Sequence, residues 1–201
     1  MTQFPLPIPG ERIAQCRTVP NLAATLRIIP PGSVVVEVGV RLGDLTELLL
    51  AQPAIAKLWV LDHFDLHSRP KDGAAAKLGG KKHLAYISDR FAAAMRTNRL
   101  ETRIGRLDAL KALPPGGANA FFIRGCREFQ QLMSELYMCD AKLRSHGMIW
   151  VADYIMADYM SGEKYDVVRA VNEFARKSSY DLVYFVLEHT MFCTVVLRKP
   201  S

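Results

Sequence analysis

The hydrophobic pattern of the chain alternates between short, nearly continuous apolar runs and longer segments with apolar residues at helical spacing. The first run, residues 34–38, carries four valines around Glu37, which is typical of a parallel strand buried on both faces. Leucines then recur three and four positions apart in residues 44–51 and predict an amphipathic helix. Because Gly39 and Gly43 lie between the two, the segment is predicted to be a strand, a tight turn and a helix.

The same alternation continues to the end of the chain. Further strands are predicted at residues 58–61, 102–104, 118–123 and 147–151, with helices at residues 21–29, 86–98, 129–143 and 167–177. Strands that alternate with helices are typical of a parallel sheet covered on both faces. Two final β-rich runs, residues 181–187 and 191–198, are joined by the short link Glu188-His189-Thr190 and predict an antiparallel hairpin.

The predicted fold class is therefore α/β, with a mostly parallel seven-stranded sheet that ends in an antiparallel hairpin. Prolines at alternate positions of residues 5–9 exclude a helix there. Residues 1–32 are accordingly predicted to form an N-terminal arm with a short helix, and residues 33–201 a single domain.

Composition narrows the class of protein. Half of the 201 residues are hydrophobic and 23% are charged, as in ordinary globular proteins. No apolar run reaches the roughly 18 residues that span a bilayer, and the proline-rich first ten residues lack the regions of a signal peptide. The four cysteines show no Cys-x-x-Cys pair, so a cytoplasmic location is expected.

The net charge of +6 is concentrated in residues 71–106, where nine Lys or Arg residues are opposed by three acids. Such a segment attracts anionic substrates, nucleic acid or lipid headgroups, or it is simply a solvated helix face. No aromatic residues are interleaved with the charges in the manner of a nucleic-acid channel. Nucleic acid is therefore not the expected partner.

The glycine turn and a following acid suggest a nucleotide-like ligand. Glycine lets the backbone approach a ligand closely, and the next helix directs its free N–H groups into the turn. Asp62 ends the second predicted strand nineteen residues after Gly43, and an acid about twenty residues beyond such a turn accepts hydrogen bonds from ribose hydroxyls. The alternatives are a capping or turn role for Asp62 and, if the strand ends later, Asp65 as the ribose ligand.

The pattern Glu37-x-Gly39-x-x-x-Gly43 resembles the first motif of class I S-adenosylmethionine (SAM) dependent methyltransferases. It is most similar to the small O-methyltransferase branch that includes macrocin O-methyltransferase (methyltransferase family 24), where the middle glycine is commonly replaced, as Arg41 replaces it here. Residues 168–174 also resemble a helix of that family. The resemblance covers residues 33–199 and implies a Rossmann-like class I methyltransferase fold with SAM as cofactor.

The resemblance also implies which residues contact the cofactor. The glycine turn would hold the cofactor, the end of the second strand would contact its ribose, and the loop after the third strand would border its adenine ring. Asp108, in that last loop, is equally well explained as the N-cap of a short helix. The cofactor-binding residues expected on this basis are Glu37, Gly39, Val40, Arg41, Gly43, Asp62, His63, Leu107 and Asp108.

The end of the fourth predicted strand departs from the family pattern. Relatives that use a divalent cation carry an aspartate where this chain has Arg124, and Cys126 replaces a second polar residue. Arginine stays protonated and offers only donors, so it cannot ligate Mg²⁺. The fifth strand ends in Ala152 and Asp153, where relatives often show two aspartates. With one acid remaining, no metal site is predicted.

Arg124 and Asp153 are the expected catalytic residues. Asp153 is the best-placed general base for a substrate hydroxyl. Arg124 either binds an anionic substrate or the SAM carboxylate through two parallel hydrogen bonds, or it pairs with Asp153 and neutralises the site. Both interpretations are open at this stage.

The predicted function is metal-independent, SAM-dependent methyl transfer to a small molecule, with a hydroxyl as the expected acceptor. An anionic substrate is one of the options, and a homodimer is left open. The altered ends of the fourth and fifth strands support an alternative, a catalytically degenerate binding or assembly protein with the same fold.

Overall fold

The computed structural model describes residues 4–69, 73–188 and 190–200. Within them, the strands are β1 (Arg17–Val19), β2 (Ser33–Val38), β3 (Ile55–Asp62), β4 (Leu100–Ile104), β5 (Ala118–Ile123), β6 (Leu143–Val151), β7 (Asp181–Val186) and β8 (Thr194–Arg198). The helices are α1 (Gly10–Ile13), α2 (Ala23–Leu26), α3 (Asp44–Leu50), α4 (His83–Arg90), α5 (Ala92–Arg96), α6 (Leu107–Lys111), α7 (Phe129–Lys142) and α8 (Val167–Lys177), with short 3-10 helices at Leu66–Ser68 and Ala75–Leu78.

The strands form one sheet in the order β1-β7-β8-β6-β5-β2-β3-β4. All neighbours are parallel except β8, which runs antiparallel to both β6 and β7. The predicted α/β fold with a mostly parallel, Rossmann-like sheet and a C-terminal antiparallel hairpin is therefore confirmed. Lys71 of the basic segment and His189 of the hairpin link lie outside the described residues.

The sheet has eight strands rather than the predicted seven. The additional strand, β1, comes from the predicted arm and pairs in parallel with β7, from Arg17 opposite Tyr184 to Val19 opposite Val186. Its three residues are exposed or half-buried, so they show no hydrophobic pattern. A strand that is held only by backbone pairing at a sheet edge leaves no such signal in the sequence.

The helix predicted at residues 86–98 is interrupted in the structure. It begins at His83 and breaks at Phe91, whose backbone (φ −114°, ψ 23°) leaves the helical region before α5 begins. The break turns the Phe91 ring towards Gly43: a Cβ atom added to Gly43 would lie 2.6 Å from the ring. Tertiary packing against the glycine turn has therefore overridden the local helical pattern.

The core lies on both faces of the sheet, as expected for strands with apolar residues on both sides. On one face, Phe122 and Trp150 of neighbouring strands stack with ring centroids 4.5 Å apart. The buried indole N–H of Trp150 donates to the hydroxyl of Thr25 at 2.9 Å, which satisfies the polar end of that ring. The segment before β2 is thus fixed to the centre of the sheet.

The strand order reverses between β2 and β5. From β2 the chain continues to β3 and β4 on one side, whereas β5 and β6 lie on the other. In open α/β sheets, ligands bind outside the carboxyl ends of the strands at such a switch point. The glycine turn follows β2, so the fold positions it at this place. No helix among the described residues is long and apolar enough to cross a membrane.

We expect Gly43→Ala to lower the free energy of unfolding by about 3 kcal/mol. Gly43 has φ +88°, and the added methyl group would overlap the Phe91 ring, so backbone strain and overpacking add. Gly79→Ala is the matched control, because Gly79 has φ +59° with open space around it and should lose only about 1 kcal/mol. Urea unfolding of both variants measures the difference, and equal losses would contradict the packing argument.

Candidate active site

The carboxylate of Asp62 joins the glycine turn to the end of β3. Its Oδ2 accepts the backbone N–H of Val40 at 2.8 Å, and its Oδ1 accepts the backbone N–H of Phe64 at 2.7 Å. Each oxygen retains a second lone pair. The strand ends at Asp62, and Asp65 instead accepts a hydrogen bond from Arg69 at 2.8 Å. Asp62 is therefore the acid next to the turn.

The middle of the turn keeps the backbone conformation that glycine favours. Arg41 has φ +52°, in the left-handed region that costs a non-glycine residue about 1–2 kcal/mol. Its side chain is exposed, whereas its neighbours Val40 and Leu42 are buried. Arg41 thus occupies a position whose backbone favours glycine, and its side chain is exposed at the surface of the turn.

Helix α4 holds the carbonyl groups on the outer side of the turn. The Nε2 of the buried His83 contacts the carbonyl of Arg41, while its Nδ1 accepts the N–H of Leu66 at 3.4 Å. These partners fit a neutral ring that carries its proton on Nε2. This role of His83 was not predicted, because His83 has no partner at a recognisable spacing in the sequence.

Arg90 provides the second contact from α4. Its Nη1 donates to the carbonyl of Leu42 and to Asp44 at 3.0 Å, and its Nη2 donates to Glu47 at 2.7 Å. One guanidinium therefore joins the turn and the first turn of α3. Arg90 belongs to the basic segment, and its charge is used inside the fold rather than offered to a partner.

Arg106 supports the turn from the opposite side through a buried ion pair. Its Nε and Nη2 donate to the two carboxylate oxygens of Glu135 at 2.7 and 2.8 Å, and its Nη1 donates to the carbonyl of Arg124 at 3.0 Å. A Cβ atom on Gly39 would overlap that carbonyl and lie 2.7 Å from Nη1. Glycine is therefore required at position 39 by the protein's own close packing.

Glu37 lies fully buried below the turn. The hydroxyl of Thr46 donates to its Oε2 at 2.6 Å, and its Oε1 has no partner. Burial raises the pKa of Glu37 to about 8, although the hydrogen bond from Thr46 and the charge of Arg124 act in the opposite direction. The side chain is thus mainly protonated at neutral pH.

A cavity of about 360 Å³ opens at the carboxyl ends of β5 and β6. Its walls are mainly apolar, with Phe122 and Trp150 among them, and it also contains three carboxylates and one guanidinium. A mostly apolar lining with a few polar groups is typical of small-molecule sites. The charged lining residues are Asp44, Asp153, Glu188 and Arg124.

Asp153 and Arg124 reach this cavity from neighbouring strand ends. Asp153 has φ +58°, and its carboxylate makes no hydrogen bond within the described part of the chain. Burial raises the pKa of Asp153, against the opposing charges of Arg127, Arg124 and Arg41. The ion pairs found among the described residues do not include one between Arg124 and Asp153, so neutralisation by direct pairing is not observed.

The other predicted residues are more dispersed. His63 and Asp108 are exposed, and Asp108 pairs with Lys111 at 3.1 Å. Helix α6 begins at Leu107, so Asp108 is not its N-cap. None of these side chains, nor that of Asp62, lines the cavity. The predicted residues therefore form two groups, one around Asp62 and the glycine turn and one around Arg124 and Asp153.

Two further findings concern the altered strand ends. Burial raises the pKa of the Cys126 thiol to about 12, which is the behaviour of an inert, packed cysteine. Within residues 4–69, 73–188 and 190–200, no three His, Cys, Asp or Glu side chains are grouped so that they could hold a metal ion.

No protein-family model and no curated protein sequence matches the chain. Among solved structures, it is similar to the pyocyanin biosynthetic protein PhzM, with a TM-score of 0.63 and 15% identity over 88% of this chain and 53% of that one. A putative rRNA methylase from Clostridium thermocellum matches with a TM-score of 0.63 and 15% identity over 92% of this chain and 99% of that one. A SAM-dependent methyltransferase from Aquifex aeolicus matches with a TM-score of 0.55 and 14% identity over 85% and 83%.

These comparisons show the fold. The chain spans about half the length of PhzM and almost the whole length of the Clostridium thermocellum protein. The eight-stranded sheet is accordingly built on the Rossmann-like fold of class I methyltransferases. The more specific resemblance to the macrocin O-methyltransferase branch stays a prediction.

Glu37→Gln should flatten the dependence of stability on pH. The pKa of Glu37 in the folded protein is about 8, above its ordinary value of 4.5, so the native state holds a proton that the unfolded state releases. The free energy of unfolding should therefore fall as pH rises from about 4.5 to about 8, by at most about 1.4 kcal/mol per pH unit from this group.

Urea unfolding at several pH values across this range provides the measurement. Gln retains an acceptor for Thr46 but does not titrate, so the variant should lose less stability towards pH 8 than the natural protein. Glu47→Gln, at an exposed position on α3, serves as the control. If the free energy of unfolding of Glu37→Gln depended on pH in the same way as that of the natural protein, the raised pKa of Glu37 would be refuted.

Proposed function

We propose that the protein is a SAM-dependent methyltransferase that transfers a methyl group to a hydroxyl of a small molecule without a catalytic metal, in the cytoplasm. The observation that carries the proposal is the hydrogen bond from Val40 to Asp62, which joins the glycine turn to the β3 acid at the switch point of the sheet. The similarity to methyltransferase structures supports the same class.

The residues at the turn fit SAM. Each oxygen of Asp62 can accept one more hydrogen bond, which suits two vicinal ribose hydroxyls. The unpartnered Oε1 of Glu37 is a buried polar atom that a polar group of a ligand would satisfy, and Arg124 suits a carboxylate. When bound, SAM supplies a methyl group that its sulfonium has already activated.

Asp153 is the proposed general base. Burial raises the pKa of Asp153 towards neutral pH. A general base is most effective when its pKa lies near the pH of the reaction. It would take the proton of the acceptor hydroxyl and leave the oxygen lone pair available for attack on the methyl group. Three carboxylates against one guanidinium in the cavity favour a neutral acceptor over the anionic one that Arg124 alone suggested.

The degenerate binding protein is the second candidate, and one observation favours it. On the Cβ side of Gly39, close contact is made by the protein's own Arg106 and the carbonyl of Arg124. Both glycines of the turn are therefore explained by internal packing, without any ligand. Methyl transfer and binding have to be tested separately.

We expect S-adenosylhomocysteine to bind, and Asp62→Asn to weaken that binding tenfold or more. A hydrogen bond to a charged group contributes about 1.5–3 kcal/mol, and Asn retains the shape with only one acceptor oxygen. Isothermal titration calorimetry measures the affinity, and the melting temperature without ligand reports any damage to the turn. Asp65→Asn is the control, because Asp65 bonds Arg69 outside the turn. The absence of heat with both SAM and S-adenosylhomocysteine would overturn the proposal.

Asp153→Asn should lower methyl transfer by about 10²–10⁴-fold while the affinity for S-adenosylhomocysteine stays the same. Asn tolerates the left-handed backbone that position 153 requires, so the loop should be preserved. Transfer of a labelled methyl group from SAM to a panel of phenols provides the readout. If the natural protein binds SAM but labels no acceptor, the degenerate alternative is favoured; undiminished transfer by the variant would exclude Asp153 as the base.

A further inference from the structure

Exposed apolar side chains are concentrated beside the cavity. Of the ten large apolar residues that are exposed in the described chain, five lie on the loops after β6 and β7, with exposures from 42% to 80%. A concentration of this kind commonly marks a binding surface. These five residues, here called the apolar rim, are Met156, Tyr159, Met160, Leu187 and Met191.

Tyr159 connects the apolar rim to the cavity wall. The hydroxyl of Tyr159 donates to the carbonyl of Thr190 at 2.9 Å, and its ring lies 5.5 Å from the ring of Phe192. Both Thr190 and Phe192 line the cavity. A ligand that left the cavity on this side would therefore pass directly onto the rim.

The loop that carries most of the rim is internally bonded. Ala157 and Lys164 form an antiparallel bridge, and the carboxylate of Asp158 accepts the backbone N–H of Met160 at 2.8 Å. Arg127 pairs with Glu163 at 2.6 Å and ties the loop to the segment after β5. Met156 and Met160 are thus exposed on a loop that is held by its own hydrogen bonds and by this ion pair.

The size of the cavity limits what it can hold. A volume of about 360 Å³ is near the lower end for small-molecule sites, and part of it has to admit the reacting groups at Asp153. An acceptor larger than one substituted ring must extend outwards. Methionine is unbranched and polarizable, and it adapts to flexible apolar ligands.

We propose that the acceptor is an amphipathic molecule whose hydroxyl-bearing head enters the cavity while a flexible apolar chain lies on the apolar rim. This inference rests on the proposed function for the reacting end of the ligand. The charges nearby favour a small molecule over an anionic membrane surface, since Asp158, Glu163 and Glu188 outnumber Lys164 on these loops, whereas surface-binding segments are rich in Lys and Arg.

A series of 4-alkylphenols with one to eight chain carbons tests the inference. Binding is followed by the fluorescence of Trp150, which lines the cavity, in a Trp59→Phe background that removes the second of the two tryptophans. Each added methylene is worth about 0.8 kcal/mol when buried, so affinity should rise up to about fourfold per carbon. Met160→Ser and Met191→Ser should reduce this increment to less than twofold and leave 4-methylphenol unaffected.

The matched control is Phe4→Ser, because Phe4 is 78% exposed on the N-terminal arm and does not line the cavity. Affinity that is independent of chain length, or an increment that persists in both methionine variants, would overturn the inference. The inference would also be overturned if the protein bound phosphatidylcholine–phosphatidylserine vesicles through the rim while its affinity for the phenols did not depend on chain length. If affinity rises with chain length only when the rim is intact, but the protein does not bind S-adenosylhomocysteine, the apolar subsite is supported and the proposed methyl transfer is overturned.

Discussion

The hydrogen bonds accepted by Asp62 are the constraint on which the site depends. One carboxylate accepts the N–H of Val40 on the glycine turn and the N–H of Phe64 beyond β3. It thereby fixes two loops that leave neighbouring strands at the switch point of the sheet. Without this carboxylate, both buried amides would need other partners, because an unpaired backbone N–H is costly away from water. The turn conformation and any ligand contact made by the turn follow from this arrangement.

The other contacts to the turn complete its support. Helix α4 holds two carbonyl groups through His83 and Arg90, and the ion pair of Arg106 with Glu135 supports the opposite side. The turn is thus held by side chains from three separate elements, and its backbone can tolerate Arg41 in a conformation that favours glycine. Other charges of the basic segment also pair within the protein, as Lys81 does with Asp89 and Arg103 with Glu101.

The two halves of the site differ in character. Around Asp62, polar groups are bonded to each other and fixed in place. At the ends of β5 and β6, Arg124 and Asp153 face an apolar cavity without pairing with each other, and the burial of Asp153 raises its pKa. The proposed division between cofactor binding at the turn and proton transfer at Asp153 rests on this difference.

The sequence by itself determined the features that depend on local pattern. Residues 34–38 were predicted to be a buried strand because nearly every position is apolar, a strand was predicted to end at Asp62, and the final two runs were predicted to pair as a hairpin because the link between them is short. These predictions agree with β2, β3 and the pair β7–β8. The alternation of strands and helices likewise determined the fold class.

Only the tertiary structure decided which distant side chains meet. His83 and Arg90 contact the turn from 42 and 48 residues away, and Arg106 pairs with Glu135 across 29 residues. No spacing rule predicts such contacts, because they depend on the direction of each side chain after the helices have packed. Phe91 broke a continuous helix, and β1 joined the sheet, for the same reason: long-range packing and backbone pairing outweighed weak local preferences.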